Sequence, residues 1–333
     1  MRTRKTTIAL SIAVATALSA PVLAAADGGR APAADRMARG ALTTVGLTSD
    51  QRLVEFTVDR PAKPMSIGRV SGLRGDRRIV GIDFRVQNER LYGVGDRGGI
   101  YTLSTSSAKA TKVSQLTVAL SGAQFGVDFN PAANRLRVIS DTGQNLRHNV
   151  DDRSAPLTTT ADGTLTNPTT PPSTALGVTG AAYTNNDLDA ATATTLFDID
   201  TTADRVSLQS PANAGTLAPT GNLGVNAGPH AGFDVYYSRG QGTNRGFAAL
   251  STGGAFRLYG INLLTGAARD LGAFPQDRQV TDLALPLNQG LPLPGRGAPP
   301  GGRAPPRGPP PPPPPPPPQR RLNQGGTRCG GLG

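Results

Sequence analysis

Apolar and polar residues alternate in short runs along residues 41–288, and no long segment carries a helical period. Val80, Ile82, Phe84 and Val86 form one alternating set, and Phe125, Val127 and Phe129 another. A period of two is that of a β-strand with one face packed. Asn130-Pro131, Asp141-Thr142-Gly143 and Thr265-Gly266 punctuate the runs with turn-forming residues.

Two motifs recur. The first is a strand with a small or acidic residue between apolar ones: Gly81-Ile82-Asp83-Phe84, Gly126-Val127-Asp128-Phe129, Gly180-Ala181-Ala182-Tyr183, Gly232-Phe233-Asp234-Val235 and Val280-Thr281-Asp282-Leu283. The second is a hairpin that opens at Leu53, Ile100, Leu146, Leu196 and Leu258. The motifs alternate without exception, and the first recurs after 45, 54, 52 and 48 residues. That length suits four strands per unit. The body opens with the later strands of a unit (Leu42 to Val70) and closes with a first strand (Val280 to Leu287). Joining the ends completes a fifth unit. The pattern therefore predicts an all-β, five-bladed β-propeller of four-stranded antiparallel sheets, its ring closed by N- and C-terminal strands in one blade. Closure removes the open edges that invite aggregation. The body is expected to be monomeric, and the polar stretch Thr158 to Ser173 to project from one face.

The two ends change the picture of compartment and charge. Arg2, Arg4 and Lys5, the apolar run Ile8 to Ala20 and the small residues Ala24-Ala25-Ala26 read as a signal peptide over residues 1–26. The apolar run is shorter than a membrane span, so no transmembrane segment is expected after cleavage. Residues 27–40 read as a flexible segment. Residues 289–333 read as a disordered tail rich in proline, glycine and arginine, with ten consecutive prolines from Pro309 to Pro318. The whole chain carries +11, but residues 1–26 hold three of those charges and residues 291–333 six, leaving the body at +2. The basic balance thus belongs to the ends. It suits a cell-wall or other anionic surface polymer, and export sets nucleic acid aside. The single cysteine, Cys329, lies in the tail, so the body has no disulfide and no cysteine nucleophile.

The stretch from Gly126-Val127-Asp128-Phe129-Asn130-Pro131 through Asn134-Arg135-Leu136-Arg137-Val138 to Ser140-Asp141-Thr142-Gly143-Gln144-Asn145-Leu146-Arg147 is distinctive, as is Asp162-Gly163-Thr164-Leu165. Over residues 41–288 the chain resembles a bacterial exported family catalogued as domain of unknown function 4394. The resemblance implies export and a repeated β-fold. It transfers no activity and no catalytic residue.

Few residues nominate chemistry. There is no Gly-x-Ser-x-Gly elbow, His-Glu-x-x-His or phosphate loop. A Ser/His/Asp set scattered along the chain stays open. His148 falls in a slot that other hairpins fill with Glu55, Thr102, Asp198 and Gly260, which reads as an exposed strand position. His230 lies in a Gly-Pro-His-Ala-Gly loop just before a first strand, where a ring mouth would be. With Asn145 and Arg147 of the signature it makes up the candidate ligand-binding set. Asp83, Asp128, Asp234 and Asp282 occupy one position in four of five units, with Ala182 in the fifth. If first strands line a central channel, these carboxylates could hold Ca²⁺, which takes six to eight oxygen ligands. Alternatively, each accepts local backbone hydrogen bonds and fixes blade packing. Asn185-Asn186-Asp187-Leu188-Asp189 is a second oxygen-rich loop, without the glycine and final glutamate of an EF-hand.

Three functional readings follow. One is a secreted or periplasmic binding or structural module with its ligand at one mouth. A second is an extracellular hydrolase or lyase acting on a glycan or ester through carboxylates at the channel mouth. A third is a cell-surface protein retained by its basic tail.

Overall fold

The structure, a computed structural model, describes residues 42–289. The expected signal peptide over 1–26, the expected flexible segment over 27–40, and residues 290–333 of the expected tail with Cys329 lie outside the described residues. No helix among the described residues is long and apolar enough to cross a membrane.

The first three strands are β1 (Thr43–Thr48), β2 (Arg52–Thr57) and β3 (Met65–Arg69). Blade 1 follows as β4 (Ile79–Arg85), β5 (Arg90–Gly95), β6 (Gly99–Leu103) and β7 (Ala110–Gln115). Blade 2 is β8 (Phe125–Asn130), β9 (Arg135–Ser140), β10 (Asn145–His148) and β11 (Thr159–Ala161). A two-stranded ribbon, β12 (Thr166–Asn167) with β13 (Ser173–Thr174), leads to blade 3: β14 (Val178–Tyr183), β15 (Leu196–Asp200), β16 (Arg205–Gln209) and β17 (Leu217–Asn222). Blade 4 is β18 (Ala231–Ser238), β19 (Thr243–Thr252), β20 (Ala255–Ile261) and β21 (Ala268–Ala273). The last strand, β22 (Val280–Ala284), pairs antiparallel with β1, so blade 5 runs β22-β1-β2-β3. The five-bladed propeller and its closure by both ends are therefore as the repeat predicted.

The first strands β4, β8, β14, β18 and β22 contact one another in a closed ring. The signature strand Gly126–Asn130 is one of these inner strands. Glycines let the strands approach closely. A Cβ on Gly81 would lie 2.4 Å from Val127 Cγ2, and one on Gly232 would lie 2.4 Å from Asp282 Cα. The inner strands thus pack tightly against one another around the axis.

Five apolar clusters fill the five seams between neighbouring blades. Four hold twelve or thirteen buried residues, and the seam between blades 2 and 3 holds eight. That poorer seam carries charge instead, as described below.

Two local expectations change. The hairpin at Leu196 lies on β15–β16, the second and third strands of its blade, whereas the other four hairpins form third and fourth strands. An alternating strand, a polar turn and another strand look alike wherever they fall in a blade, so the motif alone does not fix its phase. Thr158 to Ser173 does not simply project. It supplies the outer strand β11, and Leu165 within it is fully buried in the seam against blade 3.

Candidate functional site

The inner strands begin at one end of the ring, and there the loops of four blades meet. Gln51 and Thr281 come from blade 5, Arg78 precedes blade 1, Gln124 precedes blade 2, and His230 and Phe256 come from blade 4. Together they line a cavity of about 230 Å³. Gln51 is fully engaged: its amide accepts from Ile79 N at 2.7 Å and donates to Ile79 O at 3.1 Å. Its role is to hold the start of β4 in place. His230 Nδ1 contacts Gln124 Oε1, and its ring meets Phe256 edge-to-face with centroids 5.9 Å apart. Burial lowers the His230 pKa against the backbone contact with Thr281, and the Arg78 charge lowers it further. The imidazole is therefore neutral at neutral pH. The structure brings His230 to the mouth, where its loop pointed.

Asn145 and Arg147 are elsewhere. They belong to a polar network in the seam between blades 2 and 3. Arg137 is its centre, with 2% of its surface exposed. Arg137 donates to Asp162 Oδ2 at 2.7 Å, Asn145 Oδ1 at 2.8 Å, Asn213 Oδ1 at 2.7 Å and Tyr183 Oη at 3.2 Å. Arg147 donates to both oxygens of Asp162, at 3.0 and 3.1 Å. These side chains satisfy one another and face no opening at the mouth. Period-2 alternation placed Asn145 and Arg147 on a strand but could not say what lay across the seam.

His148 is fully buried, not an exposed strand residue. Its Nδ1 lies 2.9 Å from Thr159 Oγ1 and its Nε2 2.9 Å from Ser114 Oγ, so it joins blade 2 to blade 1. Burial, and then the Arg135 charge, push its pKa down to about 4.

The four aspartates meet at the axis. Asp83, Asp128 and Asp234 each bring a carboxylate oxygen within 4.8 Å of the others. They are buried rather than displayed at the mouth. Each reaches a neighbouring blade: Asp83 Oδ2 accepts from Phe129 N at 2.8 Å, Asp128 Oδ1 from Tyr183 N at 3.1 Å, Asp234 Oδ2 from Leu285 N at 2.6 Å and Asp282 Oδ2 from Ile82 N at 2.7 Å. The inter-blade hydrogen bonding offered as the packing alternative is present. Burial raises all four pKa values, and the neighbouring carboxylates raise those of Asp83 and Asp128 further. For Asp234 the value reaches about 6, with its two amide donors opposing the rise.

In the oxygen-rich loop, Asp187 Oδ1 accepts from Asp189 N, and Asn186 Nδ2 donates to Val235 O. Asn185 and Asn244 bond to each other twice. That asparagine pair sits in a larger cleft of about 810 Å³ on the flank between blades 3 and 4. Because the pair is already satisfied, it offers little to a ligand there.

Sequence reasoning missed several buried charged residues, Arg137 and Asp198 among them. Arg137 was visible only as part of the signature. Asp198, assigned to the same slot as His148, sits on β15 fully buried with neither carboxylate oxygen hydrogen-bonded. Burial raises its pKa well above the ordinary carboxylate value, against the nearby Arg137 charge. Its place between Phe197 and Ile199 in an apolar strand was the available signal.

This architecture is that of a single-ring β-propeller with a narrow axial mouth. The chain belongs to the family described as Domain of unknown function (DUF4394), which it matches over residues 52–284. No curated protein matches it. Among solved structures, it is similar to a protein from Lactobacillus plantarum at 18% identity, covering 72% of this chain and 69% of that one, with a TM-score of 0.38. An auxiliary nutrient binding protein from Bacteroides ovatus is 12% identical, covers 61% of this chain and 55% of its own length, and has a TM-score of 0.38. Myxococcus xanthus glutaminyl cyclase is 13% identical, with 67% and 97% coverage and a TM-score of 0.37. Likeness at this level carries no functional argument.

Proposed function

We propose that the chain is an exported binding module that takes one acidic, hydroxylated ring, the terminal unit of an anionic glycan, in the axial mouth. The observation that carries this reading is the convergence of four blades on one small cavity with mixed lining. Ligand sites favour such concave places, where apolar walls meet a few polar groups. A cavity of about 230 Å³ is smaller than a drug-sized site and suits a single ring. Arg78 is exposed at the rim and presents a guanidinium suited to a carboxylate. Phe256 offers an aromatic wall to the apolar side of a sugar ring. Gln124 retains an amide nitrogen to donate to a hydroxyl. The N-terminal export pattern supports placing this activity outside the cytoplasm.

The test is calorimetric titration of the full chain with oligosaccharides ending in a uronic acid, alongside their neutral counterparts. Acid-terminated ligands are expected to bind, with a loss of about tenfold or more in Arg78→Ala, the effect of one charge-assisted contact. Equal binding by Arg78→Ala, or no binding to any acid-terminated glycan, overturns the reading.

A further inference from the structure

The axis brings buried carboxyl groups together with no basic side chain among the described residues to answer them. Asp83, Asp128 and Asp234 converge within 4.8 Å, and Asp282 is close enough to repel Asp83 and Asp128. All four are buried, at 1–7% exposure. Among the described residues, no lysine, arginine or histidine forms an ion pair with any of them.

The backbone indicates which charge state the site is built for. Both oxygens of Asp83, Asp234 and Asp282 accept amide hydrogens, at 2.5–2.9 Å. An ionised carboxylate accepts at both oxygens, whereas a carboxylic acid must donate from one. The six amides therefore favour the anions. Burying those anions together without a counter-charge is costly. Asp128 adds an independent sign: its Oδ1 has one amide donor, while its enclosed Oδ2 has no partner at all.

We propose that a structural Ca²⁺ ion sits on the axis between Asp83, Asp128 and Asp234 and takes Asp128 Oδ2 as a ligand. The donors are all hard carboxylate oxygens, which suits Ca²⁺ rather than a thiophilic or imidazole-seeking metal. Ca–O distances of 2.3–2.6 Å allow two ligands of one ion to lie up to about 5 Å apart, which the cluster satisfies. Mg²⁺ demands a near-ideal octahedron with shorter bonds, whereas Ca²⁺ accepts the irregular spacing of these carboxylates, with second carboxylate oxygens or water completing its shell. The ion ties together inner strands of blades 1, 2 and 4. It lies below the mouth and does not depend on what the mouth binds.

The experiment uses the full chain, gel-filtered into metal-free buffer and analysed by plasma mass spectrometry. A single calcium ion per chain is expected. Unfolding in urea with EDTA, then refolding without metal, should lower the melting midpoint by about 5–10 °C, and Ca²⁺ but not Mg²⁺ should restore it. Asp128→Asn keeps the side-chain size and the Oδ1 acceptor but removes the charge. It should purify without calcium and melt at the same temperature with or without it. Should that variant fail to fold, the stripping and refolding of the unaltered chain decide the matter alone. A metal-free wild type whose midpoint ignores Ca²⁺ overturns the proposal and leaves the carboxylates sharing protons. Another metal bound in place of calcium overturns the assignment of the ion.

Discussion

The axis and the seam between blades 2 and 3 both bury charge, but they resolve it differently. In the seam, Arg137 meets Asp162, and Asn145, Asn213 and Tyr183 take up its remaining donors. The neighbouring seam repeats the device: Arg85 reaches both oxygens of Asp151, at 2.5 and 2.6 Å, and also bonds Asn134. At the axis, carboxylates face carboxylates and only backbone amides answer them. The seam is closed by its own residues, whereas the axis has no basic side chain among the described residues to pair with. Buried charge of the first kind fixes how blades dock. Buried carboxylates of the second kind are what the proposed Ca²⁺ would hold together.

The largest expected effect tests whether the seam is self-contained. Arg137→Met should cost about 3–5 kcal/mol in urea denaturation, because breaking a buried, hydrogen-bonded ion pair strands its partners. Arg147→Gln should cost under about 1 kcal/mol, since Arg147 is one-third exposed and Asp162 keeps Arg137. Similar losses in the two variants would show that the network does not centre on Arg137.

A middle-sized effect tests the packed axis. Gly81→Ala places a methyl 2.4 Å from Val127 Cγ2. Overpacking of this kind costs about 1–3 kcal/mol. Val127→Ala removes the nearest obstructing atom and leaves only its Cβ, 2.7 Å away, so the double variant should lose less than the sum of the two single losses. Strict additivity would mean the inner strands move apart easily and the axis is looser than the contact implies.

Much of this architecture was legible in the residues. The recurring Gly-x-Asp strands and the offset ends carried the blade count, because ring closure leaves a phase in the sequence that a period alone does not. The coincidence of four aspartates at one repeat position carried their meeting at the axis. What could not be read was anything set by contacts across a seam. Arg137 and Asp162 stand 25 residues apart, and Arg137 and Asn213 stand 76 apart. No local pattern links them. The Leu196 hairpin shows the same limit, since alternation identifies a strand but not its rank in a blade. His148 looked variable and exposed because a repeat slot reports backbone position, not what the adjacent blade lays over it.

The smallest effect distinguishes seam from mouth through the only two histidines in the chain. His148 lies in the seam between blades 1 and 2, and His230 at the mouth. Both are held below the ordinary imidazole value, His148 at about 4 and His230 by burial and the Arg78 charge. Both proton-NMR signals should therefore titrate below the ordinary imidazole value, His148 far below it. An unfolded His148 gains its proton as pH falls through about 6.5, while the folded one stays neutral until about 4. Between those values the unfolded state binds more protons, so His148 makes stability fall as pH is lowered. From pH 7 to pH 6 the loss should be under about 1 kcal/mol, read as the difference in pH dependence between wild type and His148→Gln. An acidic ligand in the mouth should raise the His230 titration toward 6.5, because a nearby carboxylate favours the imidazolium, and leave His148 where it is. Movement of both signals would point to a change of the whole ring, and movement of neither would place the ligand away from the mouth.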